Sequence, residues 1–532
     1  MIPENDGYIL AFDHGTSGFK TAIVTTHGRI IDHQFEPTPV IDIPGGGSEQ
    51  DPGDWWRALV ASSRKLLGRQ SSIAAQIEAV CVSSTFSTTV PVDRAGNHLM
   101  NSLTWMDSRG AQYIRKVMSG FPTVQGYGLA NVLRWINITG GGPSLSGKDD
   151  IAHVLYIKNE LPRIYEKTYK FLGSKDYLNL RLTGEFAATF DSIMLFWLTD
   201  TRNINNIRYS DSLIKKFAVD RDKLPGLIKS IDTIGSLRPD VALEIGLKGG
   251  VKVIAGSPDH QSALVGSGAV RDFEGHLYVG TSSWIECITP FKKTDMFHNI
   301  ATLPTAIPGK YQCINEQDIA GGSLSYLLKN IIYYENRLRK GSPPEDSYRK
   351  MDEIAASVPA GSGRLIVTPW FNGERSPVDS KTLRGGLFNV SLTTNTDHIV
   401  RAFFEGVAYN TAWNLKYVEK FTGRRMRDIS IIGGGAQSDV WCQIFADVLD
   451  RNIKKVVQPI HANARGAAFI ASCGLGHISF EDIPELIKYD RVFQPDPANR
   501  QIYTELMGEF LNIYKNNSKM YDRLNRDLAG AV

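Results

Sequence analysis

An α/β protein of two domains is what the sequence predicts, on three observations. The chain has 532 residues, more than one hydrophobic core serves, so two domains of roughly 250 residues each are expected. Its first part runs antiparallel strand patterns into alternating strand and helix patterns, the order of an α/β domain with a mixed sheet. Its opening plan of apolar strand, Gly–Thr–Ser turn and apolar strand returns at residues 276–289, as expected of two related halves facing one ligand.

Residues 8–24, YILAFDHGTSGFKTAIV, hold an apolar run that ends in Asp13, turns, and resumes as a second apolar run. Gly15 and Gly18 allow a tight turn, and Thr16, Ser17 and Lys20 place hydroxyl and ammonium donors on one short loop. Backbone N–H groups at such a turn form an anion-binding concavity, and a carboxylate beside them can hold a hydrated Mg²⁺ against the same phosphates. The GxxxxGK[ST] pattern is absent and β-branched residues follow, so this is not a Walker loop. An ordinary hairpin, in which Asp13 and Thr16 serve only the turn, accounts for the segment equally well. THGR at 26–29 reads as a hairpin turn into RIIDHQF, which gives three antiparallel strands.

A loop at 45–56 leads into a helix through Trp55, Leu59 and Leu66, with Asp51 or Asp54 as its cap. IEAVCVSST (77–85) is a continuous apolar strand ending in small hydroxyl residues, and 89–97 is a strand running into a turn. The Gly/Pro/Ser-rich stretch 139–150 predicts a loop on the face of the first domain, with no assigned role, before a helix containing HVLYIKNELP. KDYLNLRLTGE (175–185) reads as an amphipathic helix. GGVKVIAGSPDHQSALVGSGAV (249–270) reads as strand, glycine turn and small-residue helix. A boundary near residue 250 is expected there, giving domains 1–250 and 251–532. Further on come a helix at 399–415 and a strand at 428–439 that opens a helix through Trp441, Phe445 and Leu449.

Composition narrows the function classes. The 59 basic and 56 acidic residues nearly cancel and no block of like charge occurs, so neither a nucleic-acid nor a membrane surface is expected. MIPENDGYIL has two acids before any apolar run and lacks the features of a signal peptide, and no uncharged apolar run approaches the ~18 residues of a membrane span. Cys81, Cys287, Cys313, Cys442 and Cys473 are far apart in the chain without CxxC spacing, which predicts free thiols in a reducing cytoplasm. The histidines lack metal-ligand spacing. A homodimer is left open.

DHGTSGFK, WMDSRG, GSPDHQSALVGSGAV, GTSS, NGERSP, EGVAYN and GGGAQSDVWCQIFADV occur together and in this order. With them the chain resembles the FGGY carbohydrate kinases from residue 8 to about 503, most of all the xylulokinase branch. The resemblance implies the actin-like ATPase (ribonuclease H-like) fold, two α/β domains with an interdomain cleft, and ATP-dependent phosphorylation of a sugar, sugar acid or polyol hydroxyl. It implies that Asp13 helps hold Mg²⁺, that Gly15, Thr16 and Lys20 meet the ATP phosphates, and that Gly280 and Thr281 meet them from the other domain. Gly321, Gly434, Gly435 and Asp439 match positions around the adenosine.

Asp259 matches the family's general base. A sugar hydroxyl is a poor nucleophile, and a carboxylate within hydrogen-bond reach can orient it and take its proton. Read without the family, Asp259 after Pro258 is a good N-cap for the helix beginning at His260, and Lys20 is a solvated strand residue. Trp105 reads as packing, while Asp107 and Arg109 fall in the family's WxDxR pattern and are expected to orient the sugar pocket. His260 stands where relatives carry an Asn or Gln that touches the sugar. Phe86, Ser87 and Trp284 complete the expected sugar side.

The departures bear on the substrate. Thr85, Phe86, Ser87 and Thr88 replace the Gln-Met-His-Gly of the xylulokinase branch, the Arg-Glu pair of glycerol kinases is missing, and His14 and His461 stand where relatives have other residues. Selectivity comes from hydrogen bonds to particular hydroxyls, so Ser87 in place of a His puts xylulose in doubt. Glycerol or another polyol is an alternative acceptor. A nucleotide-binding regulator without phosphoryl transfer is a competing class, against which Asp13, Lys20 and Asp259 together speak. A third, an ATPase or phosphatase on the same fold, would hydrolyse ATP without sugar.

Overall fold

The structure, a computed structural model, describes residues 7–333 and 342–526. Strands β1 (Tyr8–Gly15), β2 (Gly18–Thr25) and β3 (Ile30–Pro37) form the expected antiparallel meander, with Asp13 opposite Lys20 and Gly15 opposite Gly18. Helix α1 (Pro52–Arg69) starts at Asp51, whose carboxylate accepts from Gly53 N, and it buries Trp55, Leu59 and Leu66. Strand β4 (Ile77–Ser84), buried throughout except at Glu78, joins β1 in parallel, as is common for strands covered on both faces. Strands β5 (Thr233–Ser236) and β6 (Lys252–Pro258) complete a six-stranded sheet in the order β5-β6-β4-β1-β2-β3.

Two expectations are corrected here. Strand β6 lies inside the first sheet, between β5 and β4, so the chain leaves that sheet after Pro258 rather than at residue 250; VIAGSP needs neighbours on both edges and finds them there. Helix α2 (Ser174–Thr183) is buried almost all round rather than amphipathic. Its polar residues pair inside the protein: Lys175 Nζ donates to Asp176 Oδ1 at 2.5 Å and to the Ala255 carbonyl at 3.1 Å, and Asn179 Nδ2 donates to the same carbonyl at 2.7 Å. The segment 89–97 is, as expected, a strand running into a turn: Val90–Val92 pairs with Lys170–Leu172 outside the main sheet, and Gly96 N donates to the Asp93 carbonyl at 3.1 Å.

Helix α3 (Asp259–Ser267) follows β6 directly. The second sheet then repeats the opening hairpin with β7 (Gly275–Val279) and β8 (Ser283–Thr289). It continues through β9 (Thr294–Asp295), β10 (Ile300–Pro304), β11 (Tyr311–Ile314), β12 (Asp428–Ile432), β13 (Asn452–Val456) and β14 (Tyr489–Phe493), in the order β9-β10-β11-β8-β7-β12-β13-β14. Helices α4 (Thr396–Thr422) and α5 (Asp439–Leu449) flank this sheet.

Helix α6 (Ala462–Leu475), though encoded late in the chain, joins the two halves. Its Ala467, Phe469 and Ile470 share one buried cluster with Ile9 and Ala79 of the first sheet and Ile432 of the second. It crosses α3 backbone to backbone: a Cβ on Gly266 would lie 1.8 Å from the Ala462 carbonyl, and one on Gly466 1.8 Å from the Ser262 carbonyl. The small residues of both helices permit that approach. All five cysteines are free and four are buried. Among the described residues no helix is long and apolar enough to cross a membrane.

Candidate active site

The two glycine turns open on the space between the sheets. In the first, the Asp13 carboxylate is almost fully buried, yet its contacts are long: Lys20 Nζ and Asn463 Nδ2, the latter from α6, each stand 3.5 Å away. The turn is held from outside by the Trp105 indole N–H, which donates to Thr16 Oγ1 at 3.0 Å, and by Gln50, which donates to the Thr16 carbonyl at 2.9 Å. In the second, Gly321 N donates to the Gly280 carbonyl at 2.8 Å and Gly322 N to the Thr281 carbonyl at 3.1 Å. Gly321 therefore lies directly on this turn. Gly433, at φ +91°, and Gly435 press on Val279 at the end of β7, where a Cβ would come within 2.5 Å of Val279 atoms, whereas a Cβ on Gly434 would meet open space.

Asp259 opens α3 between these turns. It does not cap the helix: Pro258 holds the N-cap position, and among the described residues the carboxylate accepts only from the adjacent His260 N at 2.9 Å. Burial pushes its pKa up to about 6, the Asp13 and Glu316 carboxylates push the same way, and His260 opposes them. A carboxyl poised near neutrality can exchange a proton with a bound hydroxyl.

His260 is positioned by a stack. Its ring lies 4.0 Å from that of Trp284, whose other face meets Tyr278 at 3.9 Å, and Phe86 meets His260 edge-on at 5.7 Å. Nδ1 pairs with Glu286 Oε1 at 2.8 Å, and Gln312 Nε2 donates to Glu286 Oε2 at 2.6 Å. Burial alone would discharge the ring, but the Glu286 carboxylate overrides it and holds the imidazolium up to about 9. Arg375 pairs with both Glu316 and Asp318 and lies 5.9 Å over the Trp105 ring.

Comparison with known proteins decides the family. The family model described as the N-terminal domain of the FGGY carbohydrate kinases matches residues 8–266, and the C-terminal one matches 276–475. The chain belongs to the FGGY family of carbohydrate kinases. A xylulose kinase of Bacillus subtilis is 26% identical over 95% of this chain and 96% of its own. Among solved structures, a gluconate kinase from Lactobacillus acidophilus superposes with a TM-score of 0.84 at 21% identity over 98% of this chain and all of its own. A ligand-bound xylulose kinase from the same organism does so with 0.84 at 20% over 97% and 99%. The fold is the actin-like two-domain one, and the family's enzymes are phosphotransferases.

Several expected site residues of this FGGY kinase have other employment. Asp107 is fully buried and its carboxylate accepts from Ser48 N (3.0 Å), Arg109 N (3.0 Å), Arg109 Nε (2.9 Å) and Arg109 Nη2 (2.6 Å). Three of these donors fall on Oδ2 and one, Arg109 N, on Oδ1, so Asp107 braces the Trp105 segment chiefly through Oδ2, inside the protein. Trp284 has both faces covered and its N–H donates to His276 Nε2 at 3.1 Å, which makes it the floor beneath His260. Ser87, at φ +52°, donates its hydroxyl to the Lys148 carbonyl at 2.5 Å and keeps only acceptor capacity. Asp439, at the start of α5, is half-exposed and paired with Lys455 at 2.8 Å and Arg491 at 3.4 Å, while Ser438 caps α5.

Other residues enter that the motifs left unassigned. Glu286 sits in a continuously buried strand, and a lone carboxylate in such a run announces a partner. Arg375 lies within NGERSP. Glu374 beside it is buried and pushed up to about 8, accepting from Asn410 Nδ2 at 2.5 Å and Asp318 N at 3.0 Å. His14 lies between Phe19 and Trp55 with both ring nitrogens unpartnered. It forms part of the core.

Proposed function

We propose that this chain transfers the γ-phosphoryl group of ATP to a hydroxyl of a sugar or sugar derivative, with Asp259 as general base. The observation that carries the reading is Asp259 itself, a buried carboxylate raised to about 6 at the start of α3, between two glycine turns from two sheets. The acceptor hydroxyl oxygen bonds to the γ-phosphorus, the bond to the β,γ-bridging oxygen breaks, ADP leaves, and the hydroxyl proton passes to Asp259. Gly15, Thr16 and Lys20 meet the phosphates from one side and Gly280, Thr281 and Gly321 from the other, and the open space over Gly434 admits the base of the nucleotide.

Asp13 fits Mg²⁺. Among the described residues its oxygens have two side-chain contacts, both at 3.5 Å, and Mg²⁺ is commonly held by one or two carboxylates together with waters and substrate phosphates. When bound, the ion neutralises phosphate charge. Phe86 supplies an apolar wall and His260 a donor toward the acceptor sugar. An ATP-using kinase of this kind works in the cytoplasm.

A coupled ADP-release screen over ketoses, polyols and sugar acids tests the reading. Sugar-dependent ADP release is expected. ATP hydrolysis indifferent to every sugar would place water as the nucleophile and overturn it.

A further inference from the structure

The glycine-rich loop after Thr139 is fixed across the interface. Lys292 Nζ donates to the Asn137 and Ile138 carbonyls at 2.7 and 3.0 Å, and Thr294 Oγ1 donates to the Gly140 carbonyl at 2.6 Å. Asp149 braces the loop from within, accepting from Ser144 N at 2.5 Å and Trp197 Nε1 at 2.9 Å. Between these anchors the Lys148 carbonyl is tied to Ser87, at the end of β4 beside Phe86. The Lys148 backbone is therefore part of the sugar wall.

Its side chain is half-buried, and its ammonium makes no hydrogen bond or ion pair with any described residue. The charges that act on it most are those of Arg375, Asp318, Lys381 and Glu316, all later in the chain than Pro258. Both of these carboxylates are already paired with Arg375. An ammonium drawn partly out of water without a counter-ion is unfavourable, and burial with Arg375 nearby holds it below the usual lysine range. The charge of Glu316 acts on Asp259 as well as on Lys148, and Ser87, which holds the Lys148 carbonyl, follows Phe86, whose ring meets His260 edge-on beside Asp259.

We propose that Lys148 is a specificity residue that pairs with a carboxylate on the acceptor, so that the preferred substrate is a sugar acid. This rests on the kinase reading above. An ATP phosphate is the other source of negative charge: Ser87, which ties the Lys148 carbonyl, follows Thr85, whose N–H donates to the His14 carbonyl beside the first glycine turn at 2.9 Å, and the ATP arm of the test separates the two.

The test compares D-gluconate with D-glucitol, which carries CH₂OH in place of the carboxylate, and extends to other aldonate and polyol pairs, on the wild type, Lys148→Met and Lys148→Arg. The wild type is expected to prefer the acids. Lys148→Met should lower the acid-to-polyol ratio of kcat/KM by about 10- to 100-fold, the range for a charged hydrogen bond, chiefly through KM for the acid, and Lys148→Arg should restore part of it. Turnover of neutral sugars with rejection of every acid overturns the inference and leaves the kinase standing. So does a Lys148→Met variant that raises KM for ATP and leaves the ratio alone. ADP release with no sugar of any class would remove the kinase reading and this inference together.

Discussion

Replacing Gly266 by alanine acts on the contact that joins the two halves. The added Cβ would lie 1.8 Å from the Ala462 carbonyl oxygen and 2.9 Å from Gly466 N. Both are backbone atoms of α6, so no rotamer change can absorb the clash. For the shorter contact to reach 3.0 Å, below which real Cβ atoms do not come, the two helices must part by about 1.2 Å. Overpacking of this kind costs about 1–3 kcal/mol of stability. Activity should suffer more, because α3 carries Asp259 in its first turn and α6 carries Asn463 beside Asp13. A misplacement of about 1 Å at a reacting centre lowers turnover by about 10²-fold. Thermal melting and coupled ADP release on the same preparation measure both effects. Gly508→Ala is the control, since a Cβ there meets nothing within 4 Å, and it should melt no lower than wild type. A Gly266→Ala protein with wild-type melting and turnover would refute the idea that this crossing sets the geometry of the site.

Three further outcomes follow from the site. The kcat/KM profile should rise with pH through about 6 as Asp259 loses its proton. In Glu286→Gln, His260 loses its counter-ion and discharges, so Asp259 loses a neighbour that lowers its pKa and the acid limb moves to higher pH; coincident limbs in the two proteins count against the coupling. Trp105→Phe removes the N–H held by Thr16 and should raise KM for ATP by about 2- to 10-fold, as for one hydrogen bond, whereas an unchanged KM would return Trp105 to packing alone. His14 titrates at about 3 in the fold because burial lowers it from 6.5, so on acidification below 6.5 the unfolded chain gains a proton that the folded one refuses and stability is lost. His14→Phe should raise the melting temperature and weaken its fall between pH 7 and 5; an equally steep fall would mean that other groups carry it.

The fold was legible where the pattern is local. The two apolar runs in 8–24, their return at 276–289 and the strand-to-helix text at 428–449 each specify their own element, and the hairpin turns carry their own glycines. Long-range pairing was not. Lys175, Asp176 and Asn179 look like a solvent face until the Ala255 carbonyl is placed beneath them. The small residues of ALVGSG announce a close approach, but the partner Gly466 lies far along the chain.

The site divides the same way. Asp13, Asp259 and His260 were singled out from motif text, whereas which atoms hold a carboxylate or cover an indole depends on residues brought in by folding. Asp107 is held partly by Ser48 N, and Trp284 is sandwiched by Tyr278 and His260. Glu286 was the readable exception, a single acid in SWIECIT. Lys148 was hidden inside a loop whose composition predicts only irregular backbone.

The most direct measurement is rapid-quench formation of phosphorylated sugar by the wild type and Asp259→Asn, using an acceptor that the screen identifies, with nucleotide affinity measured on both. Loss of the base should slow the chemical step by about 10²- to 10⁴-fold while leaving ATP affinity near that of the wild type. An Asp259→Asn protein that forms product at the wild-type rate would contradict the account at its centre.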